Sequence, residues 1–308
     1  VAQDSTQITI SGFTYIRNGF TFGYPFLESM QCILPLVDEL VVVVGNSTDG
    51  TREAVAALHP TKIKIVDTIW DDQLREGGKI FAQQANIALD ACKGKWAFHI
   101  QADEVIHEND YAQIRKAIQV ADANPNIEGI LFDFLNFYGG YHHIGATRKW
   151  HRREVRIVRN IPEIRSYRDS QGFRLYPTQQ DWKEGHKGRS LKVLYVKVPF
   201  FHYSYARKPQ LMQKKNNYFN SFWHDDKWLN ENNSKKEEYD YSIVDAVKDF
   251  KGTHPALMKK HVDAQDWEFN YDPKKARFST KNRILHHVEN LTGWRIGEYK
   301  NYKIVKEL

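Results

Sequence analysis

Cysteine is scarce in this chain: only Cys32 and Cys92 occur among 308 residues. That excludes a disulfide framework and a cysteine-rich metal site as organising devices, and a reducing compartment such as the cytoplasm fits. Long apolar runs are missing as well. No segment approaches the roughly 20 apolar residues of a membrane span. The N-terminus has no basic region followed by an apolar run, so the chain reads as soluble and without a secretory leader. There is no internal repeat and no low-complexity tract. Gly77-Gly78-Lys79 looks like the end of a phosphate loop, but Gln73 stands where that loop needs its first glycine. No G-x-G-x-x-G occurs either.

What is present is enough for a large core. Hydrophobic residues make up 41% and charged residues 27%, a globular composition that allows one large domain or two smaller ones. The net charge of +6 favours an anionic partner: a sugar nucleotide, a phospholipid surface or nucleic acid. With no recognition helix and no RNA-binding motif, nucleic acid is the least favoured of the three.

Strand and helix patterns alternate through the first half, the signature of a parallel sheet with helical crossovers. Ile8–Ile10, Leu40–Val44, Ile63–Val66, Trp96–Ile100 and Gly129–Phe137 read as strands. Phe81, Ala85, Ala88, Leu89 and Cys92 mark one face of a helix over Lys79–Lys93, with Gly94 as a left-handed cap, and Tyr111–Ala123 reads as a second helix. Val155–Arg159 and Leu194–Phe201 continue the strands, and Tyr167–Lys187 reads as irregular and functional. From Arg207 the pattern turns helical, with a polar insertion over Asn230–Glu238 and a helix carrying Ile243, Val247 and Phe250 up to Gly252. These patterns divide the chain into residues 1–206, an α/β part, and residues 207–308, a mainly helical extension packed on it.

Chemistry concentrates where strands end. Trp96-Ala-Phe-His-Ile100 runs into Gln101-Ala-Asp103-Glu104, and in open α/β sheets ligands sit just beyond the carboxyl ends of strands. Two adjacent carboxylates there can hold a hard divalent cation against phosphate oxygens; otherwise they cap the turn near Glu108. Gly45-Asn-Ser-Thr-Asp49-Gly-Thr51 follows the apolar strand. Asp49 can accept hydrogen bonds from a base or ribose, or Thr48 or Asp49 caps the next helix. Tyr15-Ile-Arg17-Asn18 follows the first strand, where Arg17 can grip phosphate or lie on the surface.

In order, Ile10-Ser-Gly-Phe-Thr-Tyr-Ile-Arg-Asn18, Val37-Asp-Glu-Leu-Val-Val-Val-Val44 with Asn46-Ser-Thr-Asp-Gly-Thr51, Gln84-Ala-Asn86, Gly94-Lys-Trp96 and Gln101-Ala-Asp-Glu104 resemble family 2 glycosyltransferases. The subgroup they resemble serves bacterial envelope polysaccharides. The likeness covers residues 8 to 106 best. It continues more weakly through Phe137-Tyr-Gly-Gly140, Arg156-Ile-Val-Arg159 and Phe201-His-Tyr203. The resemblance implies a GT-A-type, Rossmann-like mixed sheet flanked by helices. It also implies inverting transfer from a nucleotide-sugar donor to a saccharide or lipid-linked saccharide acceptor, and the inner face of the membrane, with a peripheral contact, as an allowed location. Nucleotide-sugar contacts would come from Ser11, Arg17, Asn18, Asn46, Asp49, Asn86 and Gln101. Asp103, supported by Glu104, would ligate Mn2+ or Mg2+, with His202 as a further metal or diphosphate contact. Two positions depart from the pattern: Gln101 replaces the first acid of the D-x-D element, and Gly45 the acid that commonly ends the second strand.

Inverting transfer needs a base for the acceptor hydroxyl. Asp169 is preferred and Glu184 is the second candidate; each also reads as an ordinary surface acid. Trp150, His151, Trp182 and Tyr141–His143 can form an aromatic acceptor platform. A nucleotide-sugar-binding module without catalysis is the alternative reading. A nucleotidyltransferase is disfavoured by the missing phosphate loop.

Overall fold

The structure, a computed structural model, describes residues 9–74, 77–233, 235–272, 274 and 279–308. Ile8 of the first expected strand and Ser234 of the polar insertion lie outside the described residues.

The first half alternates as its sequence pattern requires. Strand β1 (Ile10–Ile16) leads to α1 (Phe26–Ile33), β2 (Glu39–Val44), α2 (Thr51–Leu58), β3 (Ile63–Asp67), α3 (Lys79–Asp90) and β4 (Trp96–His99). All four strands run parallel in the order β3-β2-β1-β4. The all-apolar stretch Leu40–Val44 is central because both of its faces are covered. Leu40, Val42 and Val44 join a cluster with Phe26 and Ile33 of α1, while Val41 and Val43 join Phe13 with Ala88 and Leu89 of α3.

The sheet then becomes mixed. After β5 (Glu104–Ile106) and α4 (Tyr111–Asp122), β6 (Gly129–Tyr138) and the short β7 (His143–Gly145) lead to β8 (Arg153–Arg159). Strand β8 runs antiparallel between β4 and β6. Next come β9 (Ile164–Ser166), β10 (Phe173–Leu175), α5 (Gln179–Lys183) and the 17-residue β11 (Arg189–Tyr205), which pairs with β6, β5 and β10. Register shifts interrupt the β11–β6 ladder between Val196 and Pro199 and between His202 and Tyr205. Bulges of this kind re-aim side chains at functional edges.

Beyond Tyr205 the regular structure is mostly helical: α6 (Pro209–Asn220), α7 (Asp226–Asn232), α8 (Lys259–Asp263) and α9 (Thr280–Thr292). Two strands are added, β12 (Val247–Asp249) on β7 and β13 (Tyr302–Glu307) parallel to β11. The Rossmann-like α/β sheet flanked by helices is thus as expected.

Two local expectations are corrected. Val247 belongs to β12 rather than to a helix with Ile243 and Phe250: Ile243 is exposed, and Asp249 pairs with His143. Gly94 is not a left-handed cap, since α3 already ends at Asp90. Its role is contact, because a Cβ there would stand 2.5 Å from the Ser11 amide nitrogen.

Candidate active site

At the carboxyl edge, β1 hands over to Arg17 and β4 to Gln101–Asp103, while β11 crosses beside them. A cavity of about 240 Å³ opens there and is lined by Arg17, Gln101, Asp103, Glu104, Asp169 and His202. Six of the twelve predicted residues therefore meet in one place, across 186 positions of sequence from Arg17 to His202 counted inclusively.

The other six do not line it, and each has a structural task. Ser11 sits at the amino end of β1, where its hydroxyl donates to Glu39 Oε1 (2.6 Å) and accepts from the Gly94 amide (2.7 Å). Asn18, at φ +53°, accepts from the Thr48 amide at 3.0 Å. Asn46 accepts from the Trp70 amide at 3.5 Å. Asp49 accepts from the amides of Thr21 (2.7 Å) and Thr51 (3.2 Å) and so closes the turn before α2, whose N-cap is Gly50 rather than Thr48 or Asp49. Asn86 exchanges two 2.9 Å bonds with the Ser166 backbone. Glu184 ends the exposed helix α5 and accepts from Gln180 Nε2 at 2.7 Å.

Glu104 lines the cavity but is spoken for. Arg156 grips it with Nη2 at 2.6 Å from Oε1 and Nε at 2.9 Å from Oε2, and the Gln101 amide adds a third bond at 3.2 Å. Both groups are buried. Removing one partner of such a pair leaves an uncompensated buried charge, at a cost of about 3–5 kcal/mol. Glu104 therefore holds the loop against β8 and is withdrawn as a metal ligand.

Asp103 carries the centre of charge. Its Oδ2 faces Lys215 Nζ at 3.4 Å and Arg207 Nη2 at 3.8 Å, and its Oδ1 faces His202 Nε2 at 3.6 Å. Burial disfavours the anion, but Lys215, His202 and Arg207 together outweigh it and hold the carboxyl at about 2. Burial, with Arg207 beside it, draws the Lys215 ammonium down to about 7 against the pull of Asp103. Its Nζ donates to Ser204 Oγ at 2.8 Å.

Neither Lys215 nor Arg207 was expected at the site. One signal was available: Lys215 occupies an inward helical position in the series Met212, Lys215, Phe219, Phe222, where a cation needs a buried anion.

The tautomer of His202 bears on whether a divalent cation fits here. Asn136 Nδ2 donates to the His151 carbonyl (2.6 Å), which turns Asn136 Oδ1 toward His202 Nδ1 at 2.8 Å. Nδ1 therefore donates, and burial holds the ring below its usual value against the pull of Asp103 and Glu104. The free lone pair of Nε2 then looks at a carboxylate oxygen 3.6 Å away. Two acceptors facing each other suit a bridging cation, and imidazole and carboxylate both ligate Mn2+. Among the described residues no set of three His, Cys, Asp or Glu side chains is arranged for a metal. A cation here would draw its remaining ligands from substrate or water.

Two further carboxyl groups, those of Asp169 and Glu154, line the cavity. Asp169 Oδ1 is buried and makes no hydrogen bond, and burial raises this carboxyl against its own backbone amide and Arg168. Its neighbours Arg168 and Ser170 adopt φ of +55° and +64°, a conformation that costs non-glycine residues energy and clusters at functional sites. Gly78 makes room for it: a Cβ there would lie 2.9 Å from Asp169 Cβ.

Glu154 of β8, not foreseen because a lone acid in Arg153–Arg159 carries no motif, has a buried Oε2 without a hydrogen bond, 3.9 Å from Arg156 Nη1, and an Oε1 3.5 Å from His151 Nδ1. Burial raises it to about 8. Between its ordinary 4.5 and about 8, the folded chain keeps a proton that the unfolded chain releases, so stability falls as pH rises through that window. Glu154→Gln cannot ionise. Its unfolding free energy should match wild type near the acid end and exceed it increasingly toward the alkaline end, by at most about 5 kcal/mol, read out as a melting-temperature gap that widens with pH. A gap that stays constant with pH would show that Glu154 is ionised in the fold.

Aromatic rings complete the cavity. Phe81 stacks on Phe219 (4.8 Å between centroids) and Tyr15 (6.2 Å), with Trp70 and Phe222 edge-on. Of the expected acceptor platform, His151 lines this cavity. Trp150 and His151 also line a second cavity of about 280 Å³, which shares His151, Glu154 and Gln171 with the first. Trp182 instead lies over Arg165, Tyr141 is core, and His143 pairs through β7 with β12.

No protein-family model matches the chain, and no curated protein does. Three similar solved structures are as follows. A mannosyltransferase from Pyrobaculum calidifontis in complex with GDP-Man and Mn2+ is 22% identical over 43% of this chain and 37% of that one, with a TM-score of 0.32. S. aureus TarS is 15% identical over 69% and 39%, with a TM-score of 0.40. Glucosyl-3-phosphoglycerate synthase from Mycobacterium tuberculosis, with Mn2+, UDP and glucosyl-3-phosphoglycerate, is 22% identical over 43% and 45%, with a TM-score of 0.30. The chain spans less than half the length of each of these three structures.

Proposed function

We propose that this chain is an inverting glycosyltransferase that moves a sugar from a nucleotide-sugar donor to a hydroxyl acceptor in bacterial polysaccharide or glycoconjugate synthesis. One observation carries the reading: a single cavity holds a cation-facing carboxylate, Asp103 opposite His202, together with a carboxyl group free to accept a proton, Asp169.

Asp103 and His202 are the residues that would hold Mn2+ or Mg2+, which supplies positive charge to a departing diphosphate when bound. Arg207 adds fixed cationic charge beside them, Lys215 adds charge when protonated, and Arg17, held at 2.6 Å by Asp72, lines the cavity where it can meet phosphate. The rings of Trp70, Phe81 and Phe219 offer faces on which a base or a sugar can pack. Asp169 takes the acceptor hydroxyl proton. Burial raises its affinity for protons, the direction that favours proton acceptance. In this reading residues 1–206 form the donor-binding and catalytic part, and α6 of the extension completes it.

The test is a melting-temperature panel of nucleotide sugars with and without Mn2+, followed by donor hydrolysis. A ligand that binds only the native state raises the melting temperature, by an amount that grows with its concentration over Kd. A metal-dependent shift with one donor and release of its nucleotide are expected. A shift without turnover under any acceptor would favour the binding module, and no shift with any donor would end the reading.

A further inference from the structure

Five of the eleven exposed large apolar side chains among the described residues fall between positions 284 and 299: Ile284, Leu291, Trp294, Ile296 and Tyr299. They gather on and just after α9, a 13-residue helix with no buried residue. The helix turns only part of its apolar surface inward. Leu285 and Val288 are half-buried beside Asn282, His286 and Glu289, whereas Ile284 and Leu291, seven residues apart and so on one face, are 60% and 72% exposed. Trp294, just beyond the cap at Gly293, is 66% exposed. A helix packed only by its own fold would turn these apolar residues inward.

Charge decides what covers that face. Lys281 lies along it and Arg283 flanks it, both exposed and without an ion pair among the described residues. The acids nearby are already neutralised, Glu289 by Arg295 at 2.7 Å and Glu298 by Arg152. A second copy docked face to face would set Lys281 and Arg283 against the same cations. An anionic bilayer suits both parts of the face: the apolar side chains enter the headgroup boundary while the cations meet lipid phosphates.

We infer that α9 and Trp294 form a docking surface for an anionic lipid membrane. The consequence is positional. Arg295, Gly297, Glu298 and Tyr299, directly after the docking segment, line the second cavity that abuts the first. An acceptor anchored in lipid would therefore be presented on the side of the molecule where Asp169 and Glu154 wait.

The probe is vesicle co-sedimentation of the full chain, using phosphatidylcholine vesicles with and without phosphatidylglycerol. Wild type is expected to pellet with the anionic vesicles and to be released by salt. Ile284→Asp with Leu291→Asp should weaken the partition at least about tenfold, and Lys281→Glu with Arg283→Glu on the order of thirtyfold. Circular dichroism and the melting temperature should stay at wild-type values, since these side chains are exposed. The inference is overturned if wild type stays in the supernatant or if both double variants pellet as well as wild type. It is also overturned if light scattering shows a dimer that Ile284→Asp with Leu291→Asp dissolves. Donor-induced melting shifts are measured without vesicles, so failure of the membrane surface and failure of the glycosyltransferase reading are told apart.

Discussion

Asp103→Asn should abolish the metal-dependent response to donor and lower kcat/KM about 10²–10³-fold, the range seen when one preorganised electrostatic contact to developing charge is lost. The substitution keeps size and removes charge. Lys215 and Arg207 then lose the anion that holds them at 3.4 and 3.8 Å, and His202 loses the carboxylate with which it would hold a divalent cation. The amide cannot hold the cations as the carboxylate does, so the ammonium of Lys215, already drawn to about 7, gives up its proton more readily. Nucleotide-sugar titrations of the melting temperature, with and without Mn2+, read the binding loss, and product formation reads the rate. Full transfer with unchanged metal dependence would remove Asp103 from its role.

The second large effect is kinetic. Asp169→Asn should leave donor affinity within about twofold while turnover falls roughly 10²–10⁴-fold, the span that removal of a general base commonly produces. Asp169 touches none of the groups around Asp103, so a donor held there has no reason to notice the change. Glu184→Gln serves as the comparison, because Glu184 is solvent-exposed on α5 and its loss should cost nothing measurable. If Glu154→Gln stops turnover and Asp169→Asn does not, the base is Glu154; if neither matters, proton acceptance lies elsewhere.

The parts of this molecule that could be read from its sequence are those with a strong local period. The valines of β2, the apolar stripe of α3 and the strand ending in Asp103 announce themselves because each repeats a burial pattern over several residues. Asp103, Arg17, Gln101 and His202 meet at one cavity for a related reason: the first three follow β4 or β1 and His202 lies near the end of β11, so all four reach the same edge of the sheet. Residues chosen for side-chain type alone fared differently. Ser11, Asn18, Asn46, Asp49 and Asn86 are small polar groups that can contact a ligand or close a turn, and here each closes backbone hydrogen bonds. Local sequence holds no information on which of these uses prevails. Lys215, Arg207 and Glu154 were missed because their meaning lies in a distant partner. Asp103 and Lys215 are 112 positions apart, and only the packed helix α6 shows that one answers the other. The helix wrongly assigned to Ile243–Phe250 failed for a similar reason, since pairing with β7 overrode a three-position apolar spacing.

Strand β11 is hydrogen-bonded to β5, β6, β10 and β13, four segments from well-separated parts of the chain. A strand shared in this way couples the second half of the sheet: if β11 leaves, all of its neighbours lose their ladders at once. Amide protons along its paired stretch should therefore exchange more slowly than those of the exposed helix α9. The edge bearing His202 is tied in this way to the opening of the sheet around it rather than to a single loop.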